Sequence, residues 1–257
     1  MTAPTLDYQS IAIEQDHALS QALSLSRFSG FEGASIEDGY AVQVKMIERN
    51  RARGHHLNGW KVAMANQAAL TRFSLETPVY APLFDFMQLS NQLVPAAQTI
   101  APKLEAEVVF ILGRDIVDAS SSRDEILASI AYVVPAFEVA DSRTAWTFDI
   151  PTFLADGAVA RFYRIGRLLR FDPDYDFETL SCSLHTESSC VVGSSFNLIG
   201  GPLETMITMV RDLVPRFGPL RAGQHFLSGS LTPPLDMKLN SRYRLELLGQ
   251  TLELEYR

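Results

Sequence analysis

Two acidic residues constrain this chain more than anything else in it. They lie in the run Pro102-Lys103-Leu104-Glu105-Ala106-Glu107-Val108-Val109-Phe110-Ile111-Leu112-Gly113, which reads as a strand. In an extended chain residues i and i+2 share a face, about 7 Å apart along the strand. Glu105 and Glu107 therefore converge on one spot, in line with Val109 and Ile111. Leu104, Ala106, Val108, Phe110 and Leu112 form the opposite face. Both faces are apolar enough for burial, which puts two acids at the wet end of a core strand. Like charges there repel and are costly to desolvate, and a divalent cation is the simplest remedy. A half-exposed strand with surface ion pairs is the alternative that the residues leave open.

A third acid fits the same picture. Val133-Val134-Pro135-Ala136-Phe137-Glu138-Val139-Ala140 is another apolar run broken by one carboxylate, Glu138. Three carboxylates without clustered Cys or His make a hard, all-oxygen donor set, which favours Mg2+ or Mn2+ over Zn2+.

The chain of 257 residues fits one large domain, or one domain with a small N-terminal appendage. A net charge of −8 gives no electrostatic reason to expect nucleic acid. There is no apolar run long enough for a membrane span and no signal-peptide pattern at the start. Cys182 and Cys190 are too few for a disulfide framework and read as free thiols in a reducing cytoplasm, although one hairpin bridge is geometrically open.

The first fifty residues read as helical. Ser35 and Asp38 suggest a capped start, Ile36, Tyr40, Val44 and Ile47 recur at helical spacing, and Gly54 suits a stop. From Leu57 the pattern changes to short strand-like runs near 58–64, 104–112, 132–140, 160–169, 180–186, 190–193, 224–229 and 242–256. Two helices interrupt them: one capped by Ser122 with Glu125, and one opened by Pro202 and expected to end at Pro215 and Gly218. Strands outnumber helices without alternating with them, which predicts an α+β fold.

Gly59-Trp60-Lys61-Val62-Ala63 sets a lysine among apolar neighbours. Lys61 is either an edge-strand side chain snorkelling to water or a proton-transfer group beside the metal site, where burial and a cation would lower its pKa. Asp156-Gly157 suits a turn. Arg143 suits an ion pair with Asp141 or a neighbouring acid. The five histidines show no ligand spacing, and no serine elbow, phosphate loop or dinucleotide fingerprint is present.

Taken together, these segments resemble the 2-keto-4-pentenoate hydratase / 4-oxalocrotonate decarboxylase family, a branch of the fumarylacetoacetate hydrolase superfamily. The resemblance rests on Ile36 to Gln43, on Gly59-Trp60-Lys61-Val62, on Pro102 to Glu107, on Pro135 to Arg143, and on Leu220 to Gly223 with Leu227 to Thr232. It implies a mixed, rolled β-sandwich of the fumarylacetoacetate hydrolase C-terminal type with outer helices. Residues 1–56 would form a helical N-terminal segment and 57–257 a metal-binding β-roll catalytic domain. It also implies Glu105, Glu107 and Glu138 as ligands of one Mg2+ or Mn2+, Lys61 as the catalytic proton-transfer residue, and Asp156 and Ser230 as substrate contacts.

The activity implied is that of a lyase of aromatic or related catabolism acting on a short 2-oxo or 2-hydroxy-dienoic acid. Hydration leads and decarboxylation of a 2-oxo-hexenedioate follows. A diverged, non-catalytic partner subunit that binds 2-oxo acids is the alternative from another class. The partners implied are a small 2-oxo acid, further copies of the chain in a homo-oligomer, and a sister hydratase or decarboxylase. The family usually carries Gly-Leu-Thr-Ser after the lysine, where Ala63-Met64-Ala65-Asn66 stands here. Its Asp-Asn-x-Ser appears as Asp156-Gly157-Ala158-Val159, and Arg161 beside that loop is either a replacement substrate contact or an exposed strand arginine.

Overall fold

The computed structural model describes residues 6–257. Two helices come first, α1 (Tyr8–Gln21) and α2 (Ile36–Ala52). The Ser35–Asp38 capping box forms: the Ser35 hydroxyl accepts from the Asp38 N–H, and the Asp38 carboxylate accepts from the Ser35 N–H at 2.6 Å.

From Leu57 onward strands dominate. β1 (Leu57–Ala63), α3 (Gln67–Phe73), β2 (Val79–Phe84), β3 (Leu93–Val94) and β4 (Lys103–Leu112) follow in order. α4 (Arg123–Ser129) runs straight into β5 (Ile130–Ala140), and then come α5 (Ile150–Ala155), β6 (Ala160–Ile165) and β7 (Leu169–Arg170). β8 (Ser181–His185), β9 (Cys190–Ser194), α6 (Gly201–Phe217), β10 (His225–Ser230) and β11 (Leu235–Asp236) lead to the hairpin of β12 (Ser241–Leu247) and β13 (Gln250–Tyr256).

The strands form two sheets. The larger has the order β2-β1-β10-β4-β5-β6, with β11 on β4 and β7 on β5; the smaller runs β3-β13-β12-β8-β9. β1 with β10 and β13 with β3 are parallel pairs and the remaining pairs are antiparallel, so the fold is mixed α+β as expected. β4 divides the interior. Leu104, Ala106, Val108, Phe110 and Leu112 join α6 and the smaller sheet in the main core. Val109 and Ile111 face the other way, into a second core with Ile11, Leu19, Val42 and Met46 from α1 and α2. Both faces are taken up by apolar partners, so the alternation along β4 directs Glu105 and Glu107 toward the helical side, at the end where that core stops.

Several features depart from the sequence reading. α3 and α5 add to the two helices expected among the strands. β2 was not among the expected strands; its Pro82 lacks an amide donor, and β2 ends the strand order, where a proline is tolerated. The run 160–169 divides into β6 and β7. Pro215 lies inside α6, where it removes one helical hydrogen bond without stopping the helix, and Gly218 (φ 85°) caps the end.

Candidate active site

Cross-strand register brings the three acids together. Glu105 pairs with Glu138 across β4 and β5, and Glu107 pairs with Ala136 on one side and Ser230 of β10 on the other. One carboxylate oxygen from each of Glu105, Glu107 and Glu138 lies within 4.8 Å of the others. The ladder shifts register between Leu227 and Ser230, and there the Gly229 N–H donates to Glu107 Oε2 at 2.9 Å. Gly229 has φ 98°, a backbone conformation that disfavours side chains, and an added Cβ would lie 2.9 Å from Leu198 Cδ2.

Lys61 completes the cluster. β1 lies inside the sheet and Lys61 is 3% exposed, so the edge-strand snorkelling alternative does not hold. Its Nζ donates to the Ala158 carbonyl at 3.2 Å and sits 2.6 Å from Glu138 Oε1. That carbonyl belongs to an unusual turn: Gly157, Ala158 and Val159 all have positive φ, at 61°, 46° and 56°. Left-handed backbone at two consecutive non-glycine residues is strained and needs support from its surroundings.

Charge in the cluster is unbalanced. Burial drives the Glu105 carboxyl up to about 7, with Glu138 adding to the shift and Lys61 and Lys103 opposing it. Burial, then Glu138 and Glu105, raises Glu107 well above the usual carboxylate range. Burial pulls the Lys61 ammonium down, but Glu138, Glu105 and Glu107 together pull it up by more. With protein charges alone the carboxylates therefore outweigh the desolvation expected to bring Lys61 toward neutrality. Glu138 Oε1 meets the Lys61 ammonium at 2.6 Å, while Oε2 is buried with no donor. An orphaned carboxylate oxygen, acids held near protonation and an all-oxygen donor set fit a hard divalent cation.

The cluster opens into a cavity of about 890 Å3, lined at its floor by Lys61, Glu105, Glu107 and Ser230. Ser230, expected as a substrate contact, does reach this wall, with its hydroxyl donated to the Thr232 carbonyl at 2.7 Å. Asp156, the other expected contact, does not. It is fully buried away from the cavity, its Oδ2 accepting from the Arg143 N–H at 2.9 Å and its Oδ1 ion-paired with Arg143 Nε. Arg143 thus pairs with Asp156 and takes only the backbone carbonyl of Asp141. Arg161 does not line the cavity and is not exposed: it is 5% exposed, donates to the Gln98 carbonyl at 2.8 Å, and stacks 3.9 Å over the Phe162 ring.

The sequence reading missed Phe73, Trp146, Phe148 and Phe153, which line the cavity. The one signal was aromatic residues in the polar loop Ala145-Trp146-Thr147-Phe148, where water would normally disfavour them.

No family model matches the chain. A curated "TodF product hydratase" of Pseudomonas putida is 30% identical over 219 residues, covering 83% of this chain and 81% of that protein. A 2-keto-4-pentenoate hydratase of Paraburkholderia xenovorans is 28% identical over 222 residues, 85% of this chain and 82% of its own. A 4-oxalocrotonate decarboxylase of Pseudomonas putida is 27% identical over 201 residues, 77% of this chain and 76% of its own. Among solved structures, the 4-oxalocrotonate decarboxylase of Pseudomonas putida G7 complexed with magnesium and adipate shares the fold at a TM-score of 0.91. That match has 23% identity and covers 98% of this chain and 99% of that one. A fumarylacetoacetate hydrolase family protein from Yersinia pestis matches at a TM-score of 0.61 and 16% identity, over 79% of this chain and 94% of its own.

Proposed function

The chain belongs to the 2-keto-4-pentenoate hydratase / 4-oxalocrotonate decarboxylase family of the fumarylacetoacetate hydrolase superfamily, and we propose that it is a divalent-metal-dependent lyase acting on a 2-oxo or 2-hydroxy-dienoic acid. The observation that carries this reading is the convergence of Glu105, Glu107 and Glu138 within 4.8 Å beside a buried Lys61, at the floor of an open cavity. In this reading the three carboxylates hold Mg2+ or Mn2+. When bound, the ion supplies Lewis acidity toward the carboxylate and C2 oxygen of the acid.

The chain's own residues do the rest. Lys61 lies beside the acid cluster, 2.6 Å from Glu138, and in this reading it acts first as a proton donor. The Ala158 carbonyl and Glu138 fix Nζ in place at the cavity floor. Hydration of a 2-hydroxypenta-2,4-dienoate removes the C2 hydroxyl proton, adds one at C5, and adds the hydroxyl and hydrogen of water at C4 and C3. Lys61 would give the C5 proton and, once neutral, accept a proton from the attacking water, while the proton released from the C2 hydroxyl balances the one taken up at C3. Ser230, on the same wall, is one side chain available to orient that water or the acid.

Decarboxylation of a 2-oxo-hexenedioate is the second reading, favoured by likeness to the curated decarboxylase. Purified protein incubated with each acid and Mg2+ or Mn2+ separates them. Loss of dienol absorbance without CO2 supports hydration, and release of CO2 supports decarboxylation. Metal-dependent oxalate binding without turnover of either would make the chain a binding subunit instead. The same reading extends to a homo-oligomer and to association with a sister enzyme, supported by exposed apolar side chains such as Val117, Val192 and Leu239. Two free cysteines are in keeping with a cytoplasmic setting. Among the described residues no helix is long and apolar enough to cross a membrane.

A further inference from the structure

The cavity is larger than the acid head of such a substrate needs, and its chemistry changes along its length. Its charged lining consists of Lys61, Glu105 and Glu107 at the floor and one exposed arginine, Arg72. Away from the floor, Phe73, Phe148 and Phe153 form a continuous aromatic wall. The Phe73 and Phe148 rings lie 6.2 Å apart with their planes at 24°, and the Phe148 and Phe153 rings lie 4.8 Å apart. Phe196 and Ile199 add apolar surface at the mouth, 79% and 44% exposed. Where the resemblance sets a threonine after the lysine and a serine after the aspartate, Ala65 and Val159 line this cavity.

We propose that the acid taken by this site carries an extended apolar tail, alkyl or aryl, lodged against the Phe73–Phe148–Phe153 wall. The inference rests on the reading above for the acid head and adds the tail. A bare five-carbon acid would leave most of about 890 Å3 as water against apolar side chains, which burial of a hydrocarbon tail relieves. A second carboxylate away from the acid cluster would find one cation, Arg72, among uncharged side chains such as Asn66, Gln67 and Asn197. That guanidinium lies 5.2 Å over the Phe73 ring in an exposed position, where water screens any ion pair it makes. An aryl tail, by contrast, meets rings already spaced for offset or tilted stacking.

Calorimetric titration of the Mg2+-loaded protein with oxalate, pyruvate, 4-phenyl-2-oxobutanoate and 2-oxoadipate tests this without relying on turnover. The phenyl acid is expected to bind at least about tenfold more tightly than pyruvate, and 2-oxoadipate no more tightly than pyruvate. Phe148→Ala should narrow the ratio between phenyl acid and pyruvate. Phe196→Ala, at an exposed position where folding is not at stake, should narrow it too. Equal affinity for pyruvate and the phenyl acid, with Mg2+-dependent oxalate binding intact, would overturn the tail and leave the lyase reading standing. Tighter binding of 2-oxoadipate than of the phenyl acid, lost in Arg72→Gln, would replace the tail by a second carboxylate. Absence of Mg2+-dependent oxalate binding would overturn both readings together.

Discussion

Glu105 and Glu138 stand directly opposite each other across the β4–β5 ladder, two carboxylates in one antiparallel pair. Same-sign charges in that position repel, and Glu107 adds a third within 4.8 Å. Lys61 is the cation in contact, 2.6 Å from Glu138. Three acids against one ammonium leave two negative charges in a buried place, which is the deficit a divalent ion neutralises.

Exchanging Glu107 for Gln therefore has opposite effects on folding and on binding. Gln keeps an oxygen to accept from the Gly229 N–H and removes one of the repelling charges. In chelator, Glu107→Gln should melt at or above the wild-type temperature. Mg2+ should raise the wild-type melting temperature and not that of the variant, since a ligand stabilises only the state that binds it. Calorimetry should show Mg2+ affinity lowered by more than about tenfold. Undiminished affinity would place the ion elsewhere.

Lys61→Met tests the ammonium. Removing it leaves Glu138 buried without its cation, and breaking a buried pair in this way costs about 3 kcal/mol or more in metal-free protein. Saturating Mg2+ should recover much of that loss, because the ion answers the same charge. Turnover should stay depressed on the order of a hundredfold or more, the usual worth of a positioned acid–base group. A variant that is equally stable in chelator and equally active would show that the amine is neither a charge partner nor a proton donor.

The acid strand was legible because its two faces are each apolar and β-strand periodicity leaves no choice about where Glu105 and Glu107 point. Lys61 was legible as a candidate but not as buried, since sequence does not say whether a strand lies inside a sheet; here β10 on one side and β2 on the other enclose β1. The partner of Arg143 was not legible. Asp141 lies two residues away, yet the chain turns through α5 and presents Asp156 instead, thirteen residues on. The aromatic wall was hidden for a similar reason: Phe73, Phe148 and Phe153 come from α3, a loop and α5, and only folding brings them together.

The Arg143–Asp156 pair supports the left-handed turn that offers the Ala158 carbonyl to Lys61. Asp156 has its carboxyl raised to about 6 by burial, against the pull of Arg143. Asp156→Asn leaves the buried Arg143 guanidinium without its paired carboxylate and should cost about 3 kcal/mol, read as a lower denaturant midpoint. Turnover should fall as well, because Lys61 loses its fixed acceptor. Replacing both partners with apolar residues, Arg143→Met with Asp156→Leu, should return much of the stability and little of the activity. Full activity in the double variant would show that the turn needs no such support.

His225 makes the fold sensitive to acid. It is buried at 9% exposure, with Nδ1 3.1 Å from the Tyr163 hydroxyl, and burial lowers its pKa from 6.5 to about 4. The native state therefore resists the proton that the unfolded chain accepts. The stabilising contribution is complete above pH 6.5 and is lost as pH falls through the folded value near 4. Glu105, Glu107 and Asp156 carry raised values and shift stability in the opposite sense, so the difference between wild type and His225→Gln is the quantity to measure. In urea titrations the wild-type advantage should shrink on the order of 2 kcal/mol between pH 7 and pH 5. The variant lacks a titrating group there and supplies the reference curve. An advantage that holds constant across that interval would mean that His225 takes up its proton inside the folded protein as readily as outside it.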